Sequence, residues 1–250
     1  MAGTDIATAL NTSIGDYVNG ASNEAALTLR ASIAILQDFC RWVHPWKETL
    51  TAIDSVAETQ SYTLTPGTTY SDYPEIIGLD GCKYKPSGAD DSQFYDLDLK
   101  SREWLDVYDK SWVHRESSPQ PYRCFWNELD GKLYLIDKPS VASTGGLLPR
   151  VILMPAENAT TAPPFLFTKY KKALVFGIAG DMLRMANQRW SNAEMGDYYH
   201  SLYIAERDNA QLEVDRGSAK LEDYHVIPER AFTGGSRNSF RAYGGVFDNG

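Results

Sequence analysis

Two helical segments near opposite ends of the chain bracket a long middle region of strand-like runs. Over residues 26–43, apolar side chains recur at spacings of three and four, and over residues 170–186 they recur every four positions. Such spacings place apolar side chains along one face of a helix. The pattern predicts an α+β fold, with helices at both ends of the chain and a strand-rich middle.

The helix ends carry capping signals. Ser22 is a suitable N-cap for the first of these helices, and His44-Pro45 ends it, because proline disfavours the α region for the residue before it. A shorter helix is expected ahead of it, over about residues 4–18. The sequence Ser-Asn-Ala-Glu at 191–194 matches a capping box, which opens a last helix expected to end at about Arg216.

The helix expected after Pro163-Pro164 differs from the others. Residues 173–179 are apolar nearly all round, which is typical of a helix that is buried on every side. Its small residues, Gly177, Ala179 and Gly180, would let a neighbouring helix approach closely. We therefore expect this helix to be the central helix.

Short strand-like runs separated by turn formers fill residues 49–154. The runs are 60–64, 75–79, 132–136 and 151–154, and the turn formers are Thr65-Pro66-Gly67, Pro86-Ser87-Gly88, Asp130-Gly131 and Gly145-Gly146. The Asp-Gly pair predicts a hairpin between residues 123–126 and 133–135. Residues 101–108 predict a helix of one or two turns within this region, capped by Ser101.

Composition excludes several classes of protein. Of the 250 residues, 43% are hydrophobic and 23% charged, an ordinary globular mixture that excludes wholesale disorder. The 33 Asp and Glu residues outnumber the 24 Lys and Arg residues, which gives a net charge of −9. This balance argues against a broad phosphate-binding face, and the densest basic cluster, Lys169, Lys171 and Lys172, is too short to bind a duplex.

Cysteine usage and hydropathy bear on the compartment. The three cysteines, Cys40, Cys82 and Cys124, are far apart and form no CxxC pair, so we expect separate buried thiols and synthesis in a reducing cytosol. The first 20 residues lack the basic start and apolar run of a secretion signal. No stretch approaches the roughly 18 consecutive apolar residues that span a membrane, so no membrane partner is expected.

No sequence motif for catalysis stands out. Nucleotide-binding loops of the GxGxxG and GxxxxGK[ST] types and the GxSxG nucleophile elbow are absent, and the four histidines are isolated. We therefore expect no catalytic residue, no cofactor and no metal ion. The alternative is a glycan hydrolase, whose two carboxylates and stacking platform would come from Glu103 beside Trp104 and Glu128 beside Trp126.

Residues 217–250 combine glycines with aromatic residues and arginines. A flexible linker would not contain so many aromatics, and these side chain types anchor protein interfaces. The candidate docking residues are Arg230, Phe232, Arg237, Phe240, Arg241, Tyr243 and Phe247. Two interpretations stay open, an arm that orders on a partner and a disordered terminus.

Four groups of segments follow one another in an order that carries a family resemblance. They are 36–42 with 62–66, Pro121-Tyr122 with 131–139, 151–155 with 173–183, and Trp190-Ser191 with 198–216. In this order they resemble the adaptor proteins of tailed bacteriophages, also called head-completion or head-to-tail connector proteins. The resemblance covers most of residues 29–216.

The resemblance implies an α-helical bundle built from residues 1–48 and 161–216, a β-rich insert over 49–160 and an extended portal-docking arm over 217–250. Adaptors of this family assemble as a twelvefold ring in the virion neck, between head and tail, after synthesis in the host bacterial cytoplasm. Their partners are the portal protein, neighbouring adaptor copies and the next tail or nozzle protein. Genomic DNA passes through the ring channel without specific binding.

A structural virion protein without enzymatic activity is therefore the function we expect. A net charge of −9 repels DNA, as suits a conduit, and many copies in a ring would strengthen a weak contact of each arm with the portal. The alternatives are the glycan hydrolase above and another tail or receptor-binding component. That last function would place exposed aromatic residues on the β-rich insert.

Overall fold

A computed structural model of the chain describes residues 3–18, 25–68, 70–90 and 92–216. The chain divides into two units, Met1–Asp215 and Arg216–Gly250, and the description below concerns the first unit with its last helix. Helices and strands are both abundant there, which confirms the predicted α+β class.

Six α-helices and one short 3-10 helix occur in the described residues. In chain order they are α1 (Ile6–Gly15), α2 (Ala25–Val43), α3 (Arg102–Tyr108), the 3-10 helix Trp112–His114, α4 (Pro164–Lys169), α5 (Lys171–Arg184) and α6 (Ala193–Arg216). Helix α2 ends ahead of His44-Pro45 as predicted, and His44 takes a left-handed φ of 53°. Ser101 caps α3 by accepting a hydrogen bond from the Trp104 N–H, also as predicted, whereas Ser22 lies outside the described residues.

Eleven strands are present in the same part of the chain. They are β1 (Thr4–Asp5), β2 (Lys47–Thr49), β3 (Ile53–Ser55), β4 (Ser61–Thr63), β5 (Pro74–Tyr84), β6 (Tyr95–Asp96), β7 (Asp98–Leu99), β8 (Arg123–Asn127), β9 (Lys132–Leu135), β10 (Ser143–Pro155) and β11 (Thr161–Ala162). All four predicted strand-like runs overlap one of them. The predicted hairpin is confirmed, since β8 and β9 pair antiparallel around Gly131, whose φ is 63°.

The strands form three sheets. The first has the order β2–β10–β5–β6, with β3 also paired to β10, and the second has the order β4–β9–β8–β7. The third pairs β1 with β11, which ties the start of the chain to the segment before α4. Strands β7 and β8 are parallel, and the other pairs are antiparallel.

Helix α5 lies at the centre of the helical core, as its sequence predicted. Its small residues allow close approach on two sides: a β-carbon added to Gly177 would lie 2.8 Å from Cγ2 of Ile35 in α2 and 3.0 Å from Cδ2 of Tyr203 in α6. A β-carbon added to Gly180 would lie 3.1 Å from the backbone nitrogen of His200. Glycines thus set how closely the three helices pack.

The paired strands β5 and β10 separate two hydrophobic cores. On one face, Ile77 and Met154 join the helical core formed with α1, α2, α4, α5 and α6. On the other face, Ile76 and Leu153 join the core formed with the second sheet. Ile76 and Leu153 are register partners, so a single pair of strands presents its alternate residues to both cores.

Three local predictions differ from the structure, and they concern the turn at Gly145-Gly146, the cap at Ser191 and the helix after Pro163-Pro164. Gly145-Gly146 does not form a turn but lies inside β10, where Gly145 has a φ of 59° and the register with β3 shifts. The two glycines instead lie in a β-bulge, where the bulged residue takes a left-handed backbone conformation that favours glycine. The last helix is capped by Asn192, whose side chain accepts a hydrogen bond from the Met195 N–H at 3.1 Å, and not by Ser191.

Ser191 is otherwise engaged, which explains the one-residue shift of the cap. Its hydroxyl donates to the carbonyl of Met185 and accepts a hydrogen bond from the N–H of Gln188. The helix predicted after Pro163-Pro164 is divided in two, because a break at Tyr170 separates α4 from α5, and α5 ends at Arg184, two residues before the end of the apolar pattern.

The three cysteines are buried free thiols, as predicted. None of the helices in the described part of the chain is long and apolar enough to cross a membrane.

Candidate interaction surface

A small separate core supports helix α3 on the second sheet. Leu105, Trp112, Phe125 and Ile136 are its buried members. The rings of Trp112 and Phe125 meet edge to face with centroids 5.0 Å apart, and the indole N–H of Trp112 donates to Asp106 at 3.0 Å. A helix of seven residues is marginal in isolation, so these contacts fix its position on the sheet.

Two buried carboxylates hold two arginines above this core. Asp109, at the end of α3, accepts from Nη2 of Arg115 at 2.8 Å and from Nη1 of Arg123 at 2.9 Å. Asp137, after β9, accepts from Nη1 of Arg115 at 3.0 Å. Both carboxylates are less than a tenth exposed. Charge-assisted hydrogen bonds of this kind fix the guanidinium groups in place.

The electrostatics of Arg115 follow from these partners. Desolvation alone would lower its pKa, but the hydrogen bonds to Tyr122 and Asp137 and the charges of Asp109 and Asp137 raise it. The guanidinium therefore stays charged at any pH at which the protein is folded.

Aromatic side chains extend this arginine pair across the surface. The rings of Trp104 and Tyr108 lie 5.4 Å apart, and the guanidinium carbon of Arg123 lies 5.9 Å from the Trp104 ring and 4.6 Å from the Tyr122 ring. Arg115 donates to the Tyr122 hydroxyl at 3.1 Å. We call these five residues the aromatic–arginine surface.

The aromatic–arginine surface is open to a partner. Tyr108 is 72% exposed, and Tyr122 is also exposed. Tyr, Trp and Arg are the residues that most often dominate the energy of protein interfaces. Because the arginines are already ordered by buried carboxylates, a partner that binds them loses little side-chain entropy.

Sequence reasoning did not identify this surface as a site. From the sequence, Trp104 was singled out only as the neighbour of Glu103, and Tyr122 only as part of the family resemblance. Asp109, Arg115 and Asp137 are scattered along the chain without a motif. The signal in the sequence is the aromatic-rich short helix after Ser101, but its arginine partners come together only through the fold.

The predicted site residues lie elsewhere. All seven candidate docking residues, Arg230, Phe232, Arg237, Phe240, Arg241, Tyr243 and Phe247, lie outside the described residues. Of the two carboxylates proposed for a hydrolase, Glu103 is exposed in the first turn of α3 and Glu128 is exposed just after β8.

Glu128 and Trp126 line a cavity of about 370 Å³ at the end of α2. Arg41, His44 and Ile76 also contribute to its wall, whereas Glu103 does not. Within the described ranges, no group of three or more His, Cys, Asp or Glu side chains is placed to hold a metal ion.

Comparison with known proteins does not assign the chain to a family. The sequence matches no protein-family model and no curated protein.

Proposed function

We propose that this protein is a structural component of a bacteriophage virion, an adaptor that forms a twelvefold ring between the portal and the tail and continues the DNA channel. In this role it has no enzymatic activity of its own. The observation that carries the proposal is the sharing of one helical core by α1 and α2 from the start of the chain and α4 to α6 from its end. That arrangement suits a helical bundle that carries a β-rich insert.

Four of the segments that carry the family resemblance meet in this core, whereas 62–66 and 131–139 contribute to the core of the second sheet. Residues 36–42 form the end of α2, 173–183 lie within α5, and 198–216 lie within α6. Leu36 and Phe39 are buried with Leu174 and Ile178, and 151–155 is the end of β10, whose Met154 reaches the same core. Segments far apart in sequence thus share one packing environment, which supports treating their order as a family pattern.

The charge of the chain suits a conduit for DNA. The net charge of −9 argues against a broad cationic surface to which phosphates would adhere. Weak repulsion would let DNA slide through the ring without specific binding.

Three contacts follow from this role. The arm residues Arg230, Phe232, Arg237, Phe240, Arg241, Tyr243 and Phe247 dock on the portal. Neighbouring copies form the ring. The aromatic–arginine surface of the β-rich region receives the next tail or nozzle protein, since its exposed aromatics and ordered arginines suit a protein partner.

The experiment that tests the proposal is quantitative mass spectrometry of purified tailed particles. Copies of this chain are compared with copies of the portal, and a ratio near one is expected for a ring of portal symmetry. Absence of the chain from particles would overturn the proposal. In that event, assays of Glu103 and Glu128 variants for glycan cleavage would take up the hydrolase alternative.

A truncation tests the docking arm separately. A chain ending at Arg216 is expected to fold, because the described elements end there, and to fail to join heads to tails. The matched control is the full-length chain produced and purified in the same way. Joining by the truncated chain would contradict the role of the arm.

One observation favours a second candidate function, another tail or receptor-binding component. Such a protein would present exposed aromatics on its strand-rich region, and Tyr108 and Tyr122 are exposed there. Particle stoichiometry separates the two functions, because a copy number well off that of the portal would favour the second. A Tyr108→Ala variant, with Tyr73→Ala as the control at another exposed site, then shows whether the aromatic–arginine surface is needed for assembly.

A further inference from the structure

Four aromatic rings from three parts of the helical core form a partly exposed cluster. Tyr17, just after α1, lies 5.9 Å from Phe176 of α5 and 5.4 Å from Tyr199 of α6, measured between ring centroids. Phe176 and Tyr199 are stacked at 5.9 Å, and Tyr198 meets Tyr199 at 5.5 Å. We call these four residues the helical aromatic patch.

Two rings of the helical aromatic patch are exposed to solvent. Tyr198 is 54% exposed and Tyr17 is 40% exposed, although both are large side chains on well-packed elements. Asp16 and Lys171 lie at its border, in a depression that also includes Phe176. Lys169 and Lys172 pair with Glu213 and Glu206, whereas Lys171 forms no ion pair among the described residues.

A groove of complementary character lies on the outer face of α2. Its volume is about 580 Å³, and it runs between α2 and Glu157. Ala26 and Ala34 give it depth because their side chains are small, while Leu29 and Ile33 provide an apolar floor. We call it the α2 groove.

The far wall of the α2 groove is fixed by one hydrogen bond. The Gln37 amide donates to the carbonyl of Pro155 at 3.0 Å, which holds the end of β10 beside the helix. Ile35, which contacts α5 at Gly177, lies on the opposite side of α2. The floor of the groove is part of the helical core, since Ile33 is buried in that core and Leu29 packs against it, whereas Ala26, Arg30 and Ala34 are the exposed residues of the groove.

We propose that the helical aromatic patch of one copy docks in the α2 groove of a second copy. Apolar rings would fill an apolar groove, and each border carries one acidic and one basic side chain, so Lys171 can pair with Glu157 and Asp16 with Arg30 when one copy meets the next. Asp16 and Lys171 flank the patch, whereas Arg30 and Glu157 flank the groove, and all four are exposed. Arg30 and Glu157, like Lys171, form no ion pair within the described ranges, so each is free to pair across the interface.

The two surfaces share no residue, so one copy presents both at once. Contacts between unlike surfaces are heterologous, and they close into rings when the rotation between copies permits. The inference rests on the proposed ring and names the residues that would join its neighbours.

The first test removes the apolar contacts. Tyr198→Ala takes away the most exposed ring of the patch, and Ala34→Arg fills the groove. Each is expected to weaken self-association by about 30-fold, the loss typical of an interface anchor. Leu212→Ala is the matched control, since Leu212 is 52% exposed on the same helix but lies four turns away. Sedimentation velocity over a concentration series measures association.

The second test exchanges charges. Lys171→Glu and Glu157→Lys each place like charges across the interface and are expected to weaken association by about fivefold. The double variant restores opposite charges within every interface and is expected to recover association. An equimolar mixture of the two single variants is also expected to recover association. When chains of the two variants alternate, positions 171 and 157 carry opposite charges at every interface.

Circular dichroism of every variant establishes that the fold is retained. A wild-type chain that stays monomeric at about 100 µM would overturn the inference, as would charge variants that neither weaken nor rescue association. Failure here is distinguishable from failure of the proposed function. If particles contain as many copies of the chain as of the portal but the interface variants have no effect, only the inference is overturned. If the chain self-associates but is absent from particles, only the proposed function is overturned.

Discussion

Gly177 of α5 lies so close to Ile35 of α2 that a β-carbon on the glycine would be 2.8 Å from Cγ2 of the isoleucine. Tyr203 of α6 approaches the same point from the other side, at 3.0 Å. Helix α2 and the two consecutive helices α5 and α6, far from it in sequence, thus meet at one position that has no side chain.

Gly177→Ala is expected to destabilise the protein. Overpacking in a core costs about 1–3 kcal/mol, whereas the better helix propensity of alanine returns only about 1 kcal/mol. We expect a net loss of up to about 2 kcal/mol in urea unfolding. The control is Gly15→Ala in α1, because a β-carbon there meets no atom within 4 Å. Equal stability of the two variants would contradict the close packing described here.

Asp109→Ala is expected to lower the free energy of unfolding by about 3 kcal/mol, because two partly buried arginines would lose their shared carboxylate. The arginines are Arg115 and Arg123, at 2.8 and 2.9 Å from the same oxygen. Asp96→Ala is the control, since Asp96 pairs with Lys83 at 3.7 Å in solvent and should change stability by less than about 0.5 kcal/mol. Chemical denaturation of both variants provides the comparison, and a similar small loss in each would show that the network adds little.

Asp72 is expected to contribute to stability in a pH-dependent way. Partial burial alone would raise its pKa, but hydrogen bonds from the backbone and hydroxyls of Thr160 and Thr161 outweigh this and lower the pKa. A carboxyl with a lowered folded-state pKa stabilises the fold above its unfolded pKa, near 3.9, and loses that contribution as the pH falls through its folded-state pKa.

Thermal unfolding of wild type and Asp72→Ala should therefore differ at neutral pH, and the difference should shrink as the pH falls through the folded-state pKa of Asp72. Glu116→Ala is a suitable control, because Glu116 is exposed and should shift stability little at any pH. A difference that persists undiminished into acid would argue that Asp72 acts by packing alone.

The three thiols are expected to resist modification in the folded protein. Burial raises the pKa of both Cys40 and Cys124 to about 12, and it also raises the pKa of Cys82. Because the thiolate is the reactive form, a thiol reagent at pH 8 should label almost none of them until denaturant is added, and then all three. Rapid labelling of one thiol under native conditions would reveal local opening at that residue.

Periodicity in the sequence was enough to predict the helices. The glycines of α5 predicted close approach, and both contacts of Gly177 bear this out. Predictions that depend on a single side chain were less accurate, as the cap of the last helix shows. Ser191 and Asn192 are both good caps, and the choice between them depends on Met185 and Gln188, which occupy the serine hydroxyl.

The candidate surface was less accessible from the sequence than the fold. Its parts come from α3, from β8 and from the turn after the 3-10 helix, and Asp137 lies after another strand. Carboxylates and arginines are common on surfaces, so spacing alone does not distinguish a buried network from solvated charges. The docking residues proposed near the end of the chain stay a prediction, because they lie outside the described residues.

Strands β5 and β10 set a limit on how the protein can be rebuilt. Ile76 and Leu153 serve one core, and their chain neighbours Ile77 and Met154 serve the other. A one-residue insertion in either strand would exchange the two sets, since side chains alternate along a strand. The strand-rich middle therefore cannot be transplanted into another scaffold as an independent unit. Its strands β5 and β10 also supply Ile77 and Met154 to the helical core, so a transplant would need a matching helical surface.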